Sequence, residues 1–204
     1  MERIIVYTEP TNQKTEAYRT FCTNLMACLS EGKKVIEIAS ATERKTASIV
    51  TGNLAVAMAQ AGTRVLLIDC NLHAPQQHEI FTLQNSGLTD CLMNGQDLCS
   101  YVQSTRQANL FVLPSGSSVT NPVEVLLSKP MQELLNMAKA EYDIILLDVP
   151  PTEKVADATA LGTKTDGVVL IFTNKVDKVH QAQKAKEMFK QAGVPVLGCI
   201  LDKA

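Results

Sequence analysis

No stretch of this sequence is long and apolar enough to cross a bilayer: the longest apolar runs, such as residues 167–172, are of strand length, and residues 1–30 contain no apolar signal-peptide core. A cytoplasmic chain with no membrane span is the expectation, and any membrane contact would come through a partner. A basic stripe is also missing. With 19 Lys and Arg against 21 Asp and Glu, mixed along the chain, no electrostatic footprint for nucleic acid exists. The 6 cysteines, at positions 22, 28, 70, 91, 99 and 199, show no C-x-x-C spacing, and His73, His78 and His180 share no ligand spacing. That excludes a zinc site and points to reduced, mostly buried thiols. Neither an internal repeat nor a low-complexity linker interrupts the chain.

What is present is a core. At 204 residues and 46% hydrophobic content, the chain is read as one domain, 1–204, with an N-terminal extension and helix over 1–30 and a core over 34–204. Continuous apolar runs predict strands over 34–39, 65–68, 110–113, 143–147, 168–172 and 196–201. Helical patterns fall over 11–29 with Thr15 as cap, 48–61 closed by Gly62, 130–140 and 179–192. Strands that do not alternate polar with apolar are buried on both faces, so the expected fold is α/β: a doubly wound, mostly parallel sheet with helices on both faces. In such sheets ligands sit at the carboxyl ends of the strands, where residues 40–48, 69–75 and 148–153 should converge.

The turn after the first core strand, residues 39–48, occupies the strand-to-helix position of a P-loop, as in P-loop NTPase-like folds. A working loop reads G-x-x-x-x-G-K-[ST]: glycines let backbone N–H groups fold around phosphates, lysine reaches their oxygens, and the hydroxyl holds Mg²⁺. Here those positions are Ala41, Thr46, Ala47 and Ser48, so only the hydroxyl survives. A hydrogen bond to a charged group contributes about 1.5–3 kcal/mol, so loss of the lysine alone should weaken nucleotide binding roughly ten- to a hundredfold. Catalysis should suffer more, because phosphoryl transfer depends on positioned cations. Shifting the frame by two residues makes Lys45 and Thr46 the K-[ST] pair, with Arg44 where glycine is wanted; the alternative is that Arg44 and Lys45 are solvated loop charges. The candidate phosphate loop is therefore Thr42, Arg44, Lys45, Thr46 and Ser48. Asp148 follows four apolar residues, as a strand-end carboxylate for Mg²⁺ does, which makes Ser48 and Asp148 the candidate metal pair. Asp69 ends another apolar strand and either orients a nucleophile or caps the following turn.

Residues 16–20, 53–62, 65–69 with Pro75, 87–88, 113–116 with 121–124, 142–151 and 156–158, in that order, resemble the cytoplasmic catalytic domain of the bacterial tyrosine kinases (BY-kinases) of capsule and exopolysaccharide synthesis, relatives of the MinD/ParA ATPases. The resemblance spans nearly the whole chain and implies ATP and Mg²⁺ as cofactors. It also implies a membrane polysaccharide co-polymerase or adaptor, or an active kinase homologue, as partner. The departures fall on the chemistry. Where the family's second Walker-type motif has two aspartates and an arginine, this chain has Asp69, Asn71 and His73. Where its oligomerisation helix carries Glu-x-x-Arg-x-x-Arg, Glu16 and Arg19 match as interaction residues but Cys22 replaces the last arginine, so a homo-oligomer is expected to be weakened. No tyrosine-rich tail follows residue 201, so no tail tyrosine is expected to be modified.

Residues 174–177 match the N-K-x-D guanine-reading pattern but lie one strand too close to Asp148 for it. Tyr142, at the head of its strand, is read as packing. The expected function is a kinase-fold regulatory or interaction protein of exopolysaccharide biosynthesis with an impaired nucleotide site. The alternatives are an active ATP-dependent tyrosine kinase or ATPase with a noncanonical phosphate loop, and a MinD/ParA-like ATPase.

Overall fold

The computed structural model describes residues 4–29, 32–40, 46–95, 98–151, 159, 161–173 and 178–202. Strands β1 (Val35–Ser40), β2 (Val65–Asp69), β3 (Gln103–Ser104), β4 (Leu110–Leu113), β5 (Ile144–Asp148), β6 (Gly167–Thr173) and β7 (Val196–Asp202) form one sheet in the order β3-β4-β2-β5-β1-β6-β7. All neighbouring pairs are parallel except β3 with β4. The apolar runs therefore sit where two-faced burial requires: β1, β2 and β5 are buried at every position. The two-residue β3 has too little apolar pattern to be read from sequence, and its antiparallel pairing is the sheet's one exception.

The helices divide between two core faces. Helices α1 (Ile5–Thr8), α2 (Gln13–Cys28) and α3 (Thr46–Gln60) cover one face, where Ile4, Leu25 and Leu54 pack against Ile36, Ile38 and Leu67. On the other, α5 (Leu88–Asn94), α6 (Pro122–Leu127), α7 (Lys129–Glu141) and α8 (Lys178–Gln191) cover Val35, Ile68, Leu147 and Leu170. The short α4 (Gln77–Phe81) follows β2. Because α2 contributes Cys22 and Leu25 to the same core as β1, the N-terminal helix is packed into the body of the fold. Its cap differs from expectation. Asn12, not Thr15, is the N-cap and accepts from Lys14 N at 2.8 Å, while the buried Thr15 hydroxyl donates to Glu9 O at 2.8 Å and so ties α1 to α2.

The thiols also depart from the reading: Cys22, Cys70 and Cys91 are buried, but Cys28, Cys99 and Cys199 are exposed, and none of the six is in a disulfide. Tyr142 packs as expected, edge-on to Phe111, with the Arg64 guanidinium over both rings. Among the described residues no helix is long and apolar enough to cross a membrane.

Two motifs far apart in sequence meet at Gly87. Leu88 N donates to Pro114 O at 2.8 Å and Thr89 N to Ser115 O at 2.9 Å, which brings the backbones of 87–89 and 114–115 together. A Cβ on Gly87 would stand 1.9 Å from Pro114 O. Gly87→Ala is accordingly expected to destabilise the fold by about 1–3 kcal/mol, the scale of an overpacked core, as read by denaturant unfolding.

The central strand holds one polar anomaly. Glu37, on β1, is 0% exposed, and neither carboxyl oxygen has a hydrogen-bond partner among the described residues. A Cβ on Gly162 would meet Glu37 Oε2 at 3.0 Å, Val194 at 3.1 Å and Phe189 at 3.4 Å, so the carboxyl oxygen and these apolar side chains converge on that glycine. Burial pushes its pKa well above the ordinary value of 4.5; of the ionisable groups, the Cys70 thiol feels its charge. A carboxyl held protonated in the fold contributes stability fully present below its unfolded pKa and lost as pH rises through its folded one. Glu37→Leu should thus be more stable than the parent at pH 8 by about 1–3 kcal/mol, with the margin shrinking toward pH 5. Thermal melts across that range check the slope; a pH-independent margin would mean that Glu37 is ionised and paired.

Candidate functional site

Three elements bring the candidate residues together at the carboxyl edge of the sheet. β2 and β5 are in-register neighbours, with Asp69 beside Asp148, so both carboxylates project from the same side of the sheet. α3 runs from the end of β1 toward them and presents Ser48 and Thr51 from its first turns. Asp69, Asp148, Ser48 and Thr51 are 0, 1, 4 and 0% exposed, so their hydrogen bonds are made without bulk water.

Each carboxylate is held differently. Asp69 accepts three backbone bonds: Asn71 N at 3.2 Å on Oδ1, and Gln76 N at 3.0 Å and Gln77 N at 2.9 Å on Oδ2. It caps the turn into α4, one of the two roles read for it. Asp148 accepts Gln77 Nε2 at 2.6 Å on Oδ2; the Thr51 hydroxyl, shared with Ala47 O at 3.0 Å, lies 3.4 Å from Oδ1, and the Ser48 hydroxyl faces the carboxylate as well. Its own carbonyl accepts from Cys70 N at 2.8 Å, which locks β2 to β5 at the site.

Burial raises the pKa of both carboxyls above the ordinary carboxylate range. For Asp69 the charge on Asp148 raises it further, against the pull of the three backbone donors; for Asp148 the Gln77, Ser48 and Thr51 bonds draw it back. The pair therefore resists carrying two negative charges. Burial, then the charges of Asp69, Asp148 and Glu37, push the Cys70 thiol up as well, so it is no nucleophile.

Of the sequence-read residues, the fold brings together Ser48, Asp69 and Asp148. Thr46 opens α3, and its hydroxyl is buried with no hydrogen-bond partner among the described residues. Ala47, in the lysine position, offers only a methyl group from the first turn of α3. Thr42, Arg44 and Lys45 lie outside the described residues, as do Asp157 and residues 174–177. Glu16 and Arg19 lie on another element, α2, and pair with each other at i,i+3, Arg19 also donating to Pro10 O at 3.0 Å. Cys22, where a further arginine would continue that pattern, turns inward and is 4% exposed, its thiol 3.8 Å from Leu54 O, and burial pushes its pKa up to about 12.

Sequence reasoning misses Gln77, although a signal for it exists. Gln77, Ile80 and Phe81 share the i, i+3, i+4 face of α4 and all three are buried, so a glutamine at 77 has to bring its amide inside.

The Glu16–Arg19 pair has side chains 60% and 39% exposed, which sets a low ceiling on what it contributes to folding. A double-mutant cycle of Glu16→Ala and Arg19→Ala on thermal unfolding is expected to give a coupling of no more than about 0.5 kcal/mol.

The sequence matches the AAA domain family over residues 34–177. It is 40% identical over 201 residues to the tyrosine-protein kinase YwqD of Bacillus subtilis (strain 168), covering 98% of this chain and 85% of that protein. The crystal structure of the chimerical protein CapA2B2 superposes with a TM-score of 0.93 at 30% identity, over 100% of this chain and 91% of that one. The kinase domain of the Escherichia coli tyrosine kinase ETK does so with a TM-score of 0.92 at 28% identity, over 98% of this chain and 80% of that one.

Proposed function

This chain belongs to the bacterial tyrosine kinase (BY-kinase) family, and we propose that within it the chain is a regulatory or interaction protein of exopolysaccharide and capsule biosynthesis whose nucleotide site is impaired. The observation that carries the reading is Ala47. At the first turn of α3, where a lysine would meet phosphate oxygens, the side chain is a methyl group with no charge and no donor. Local rescue by the neighbouring hydroxyl does not restore a cation, and Thr46 Oγ1 is itself buried.

Mg²⁺ fits the remaining residues poorly. A hydrated Mg²⁺ needs carboxylate oxygens turned toward it, but Oδ2 of Asp148 is already engaged by Gln77 Nε2 at 2.6 Å. Asp69 is engaged by three backbone N–H groups, and Asn71 brings an amide where the family motif has a second carboxylate. Among the described residues no group of three or more His, Cys, Asp or Glu side chains could hold a metal ion. The cluster is better suited to keeping the ends of β2 and β5 joined than to positioning a phosphoryl group.

On this reading the scaffold is kept for its surfaces, in the cytoplasm and recruited to the membrane by a partner: a polysaccharide co-polymerase or adaptor, or an active kinase homologue. A self-association through Glu16 and Arg19 would be weak, since the two side chains satisfy each other within α2 and Cys22 brings no charge. One observation favours a second reading, an active tyrosine kinase using Arg44 or Lys45: the 40% identity to a relative named as a tyrosine-protein kinase.

Calorimetric titration separates the two. The parent protein should show no saturable binding of MgATP or MgADP in the micromolar range and no tyrosine phosphorylation of itself or a partner, while Ala47→Lys should acquire measurable MgADP binding, since the lysine contact alone is worth roughly ten- to a hundredfold in affinity. Micromolar binding by the parent, with autophosphorylation abolished by Arg44→Ala/Lys45→Ala, would overturn the reading in favour of the active enzyme.

A further inference from the structure

The Gln77 side chain is fully buried, yet only one end of its amide is bonded. Nε2 donates to Asp148 Oδ2 at 2.6 Å and to Ser48 O at 3.0 Å, whereas Oε1 meets no hydrogen-bond partner among the described residues. Both atoms facing Nε2 are acceptors, so the reversed amide would set oxygen against oxygen; chemistry fixes the orientation. An amide buried with its acceptor unsatisfied is positioned by what its donor reaches, and that is Asp148. The backbone of the same residue reaches the other carboxylate, with Gln77 N donating to Asp69 Oδ2 at 2.9 Å. One residue at the start of α4 thus ties both strand-end carboxylates to the segment that follows β2.

We infer that Gln77 is the resident occupant of the Oδ2 side of Asp148: its carboxamide takes the place that a hydrated divalent cation would need on that oxygen, so the cluster folds without a metal and resists one at a point independent of Ala47. The inference deepens the reading of an impaired nucleotide site and rests on it. A cation taking the position of Nε2 on Oδ2 must break the shorter of the two bonds that Gln77 donates, leaving the buried amide with Ser48 O as its one partner. The other acceptor, Ser48 O, is a helix carbonyl that already takes one N–H of the amide, so it offers no replacement for the lost bond. Ser48 and Thr51 do not substitute for the amide on Oδ2, since Thr51 addresses Oδ1. Removing the amide should therefore open one oxygen of Asp148 without disturbing the backbone bonds to Asp69.

The test compares Ala47→Lys with Ala47→Lys/Gln77→Leu by calorimetric titration of MgADP, and again with ADP in EDTA. The double variant is expected to bind MgADP about tenfold or more tightly than the single variant, with the advantage vanishing in EDTA. In the unaltered Ala47 background, Mn²⁺ should raise the thermal midpoint of Gln77→Leu and leave that of the parent unchanged. If Gln77→Leu does not fold, Gln77→Met keeps the length of the side chain without its donor. Equal MgADP affinities of the two lysine variants, or the same response to Mn²⁺ with and without Gln77, would reduce Gln77 to a packing residue and leave the reading of the site standing. Micromolar MgADP binding by the parent would instead overturn that reading, whatever the Gln77 variants do.

Discussion

Burial of β1, β2 and β5 on both faces is the constraint on which the rest depends. A strand with no wet side can carry a polar side chain only if the protein supplies its partner. This chain meets that condition at the carboxyl edge and fails it in the middle. Asp69 and Asp148 sit where each strand ends, within reach of backbone N–H groups from the next turn and of hydroxyls from α3. Glu37 sits mid-strand with no partner for either oxygen among the described residues, and burial raises its pKa well above the ordinary value.

The same constraint shapes the carboxylate cluster beside Ala47. Two buried carboxyls on neighbouring strands repel each other when both are charged, and among the described residues the donors that answer them are neutral: three backbone amides on Asp69, and an amide with two hydroxyls on Asp148. Burial raises both pKa values, the charge of Asp148 adds to the rise at Asp69, and the neutral donors draw them only part of the way back. The cluster's hydrogen bonds join β2, β5, α3 and α4.

Much of this architecture is legible in residue order alone. The apolar runs over 65–68, 110–113 and 143–147 coincide with β2, β4 and β5 to within a residue, since a strand buried on both faces has a continuous apolar signature that competing elements do not share. Asp69 and Asp148 can be placed as neighbours of the phosphate turn from the rule that ligands collect at the carboxyl ends of parallel strands. Thr15 has the hydroxyl that suits a cap, and only the fold of α1 back onto α2 turns it toward Glu9 O instead. The exposure of Cys28, Cys99 and Cys199 is likewise out of reach of residue type, because a thiol favours burial but its helix face or sheet edge decides.

By itself, then, the sequence determined the layered α/β architecture, the order of its apolar strands, and the loss at Ala47, because periodicity and residue type are local properties. Tertiary structure alone decided what the carboxylates hold. Gln77 lies 71 residues from Asp148 along the chain, and no local pattern records that its amide crosses to Oδ2. That bond exists because parallel pairing places β5 beside β2, so that the turn after one strand closes over the end of the other.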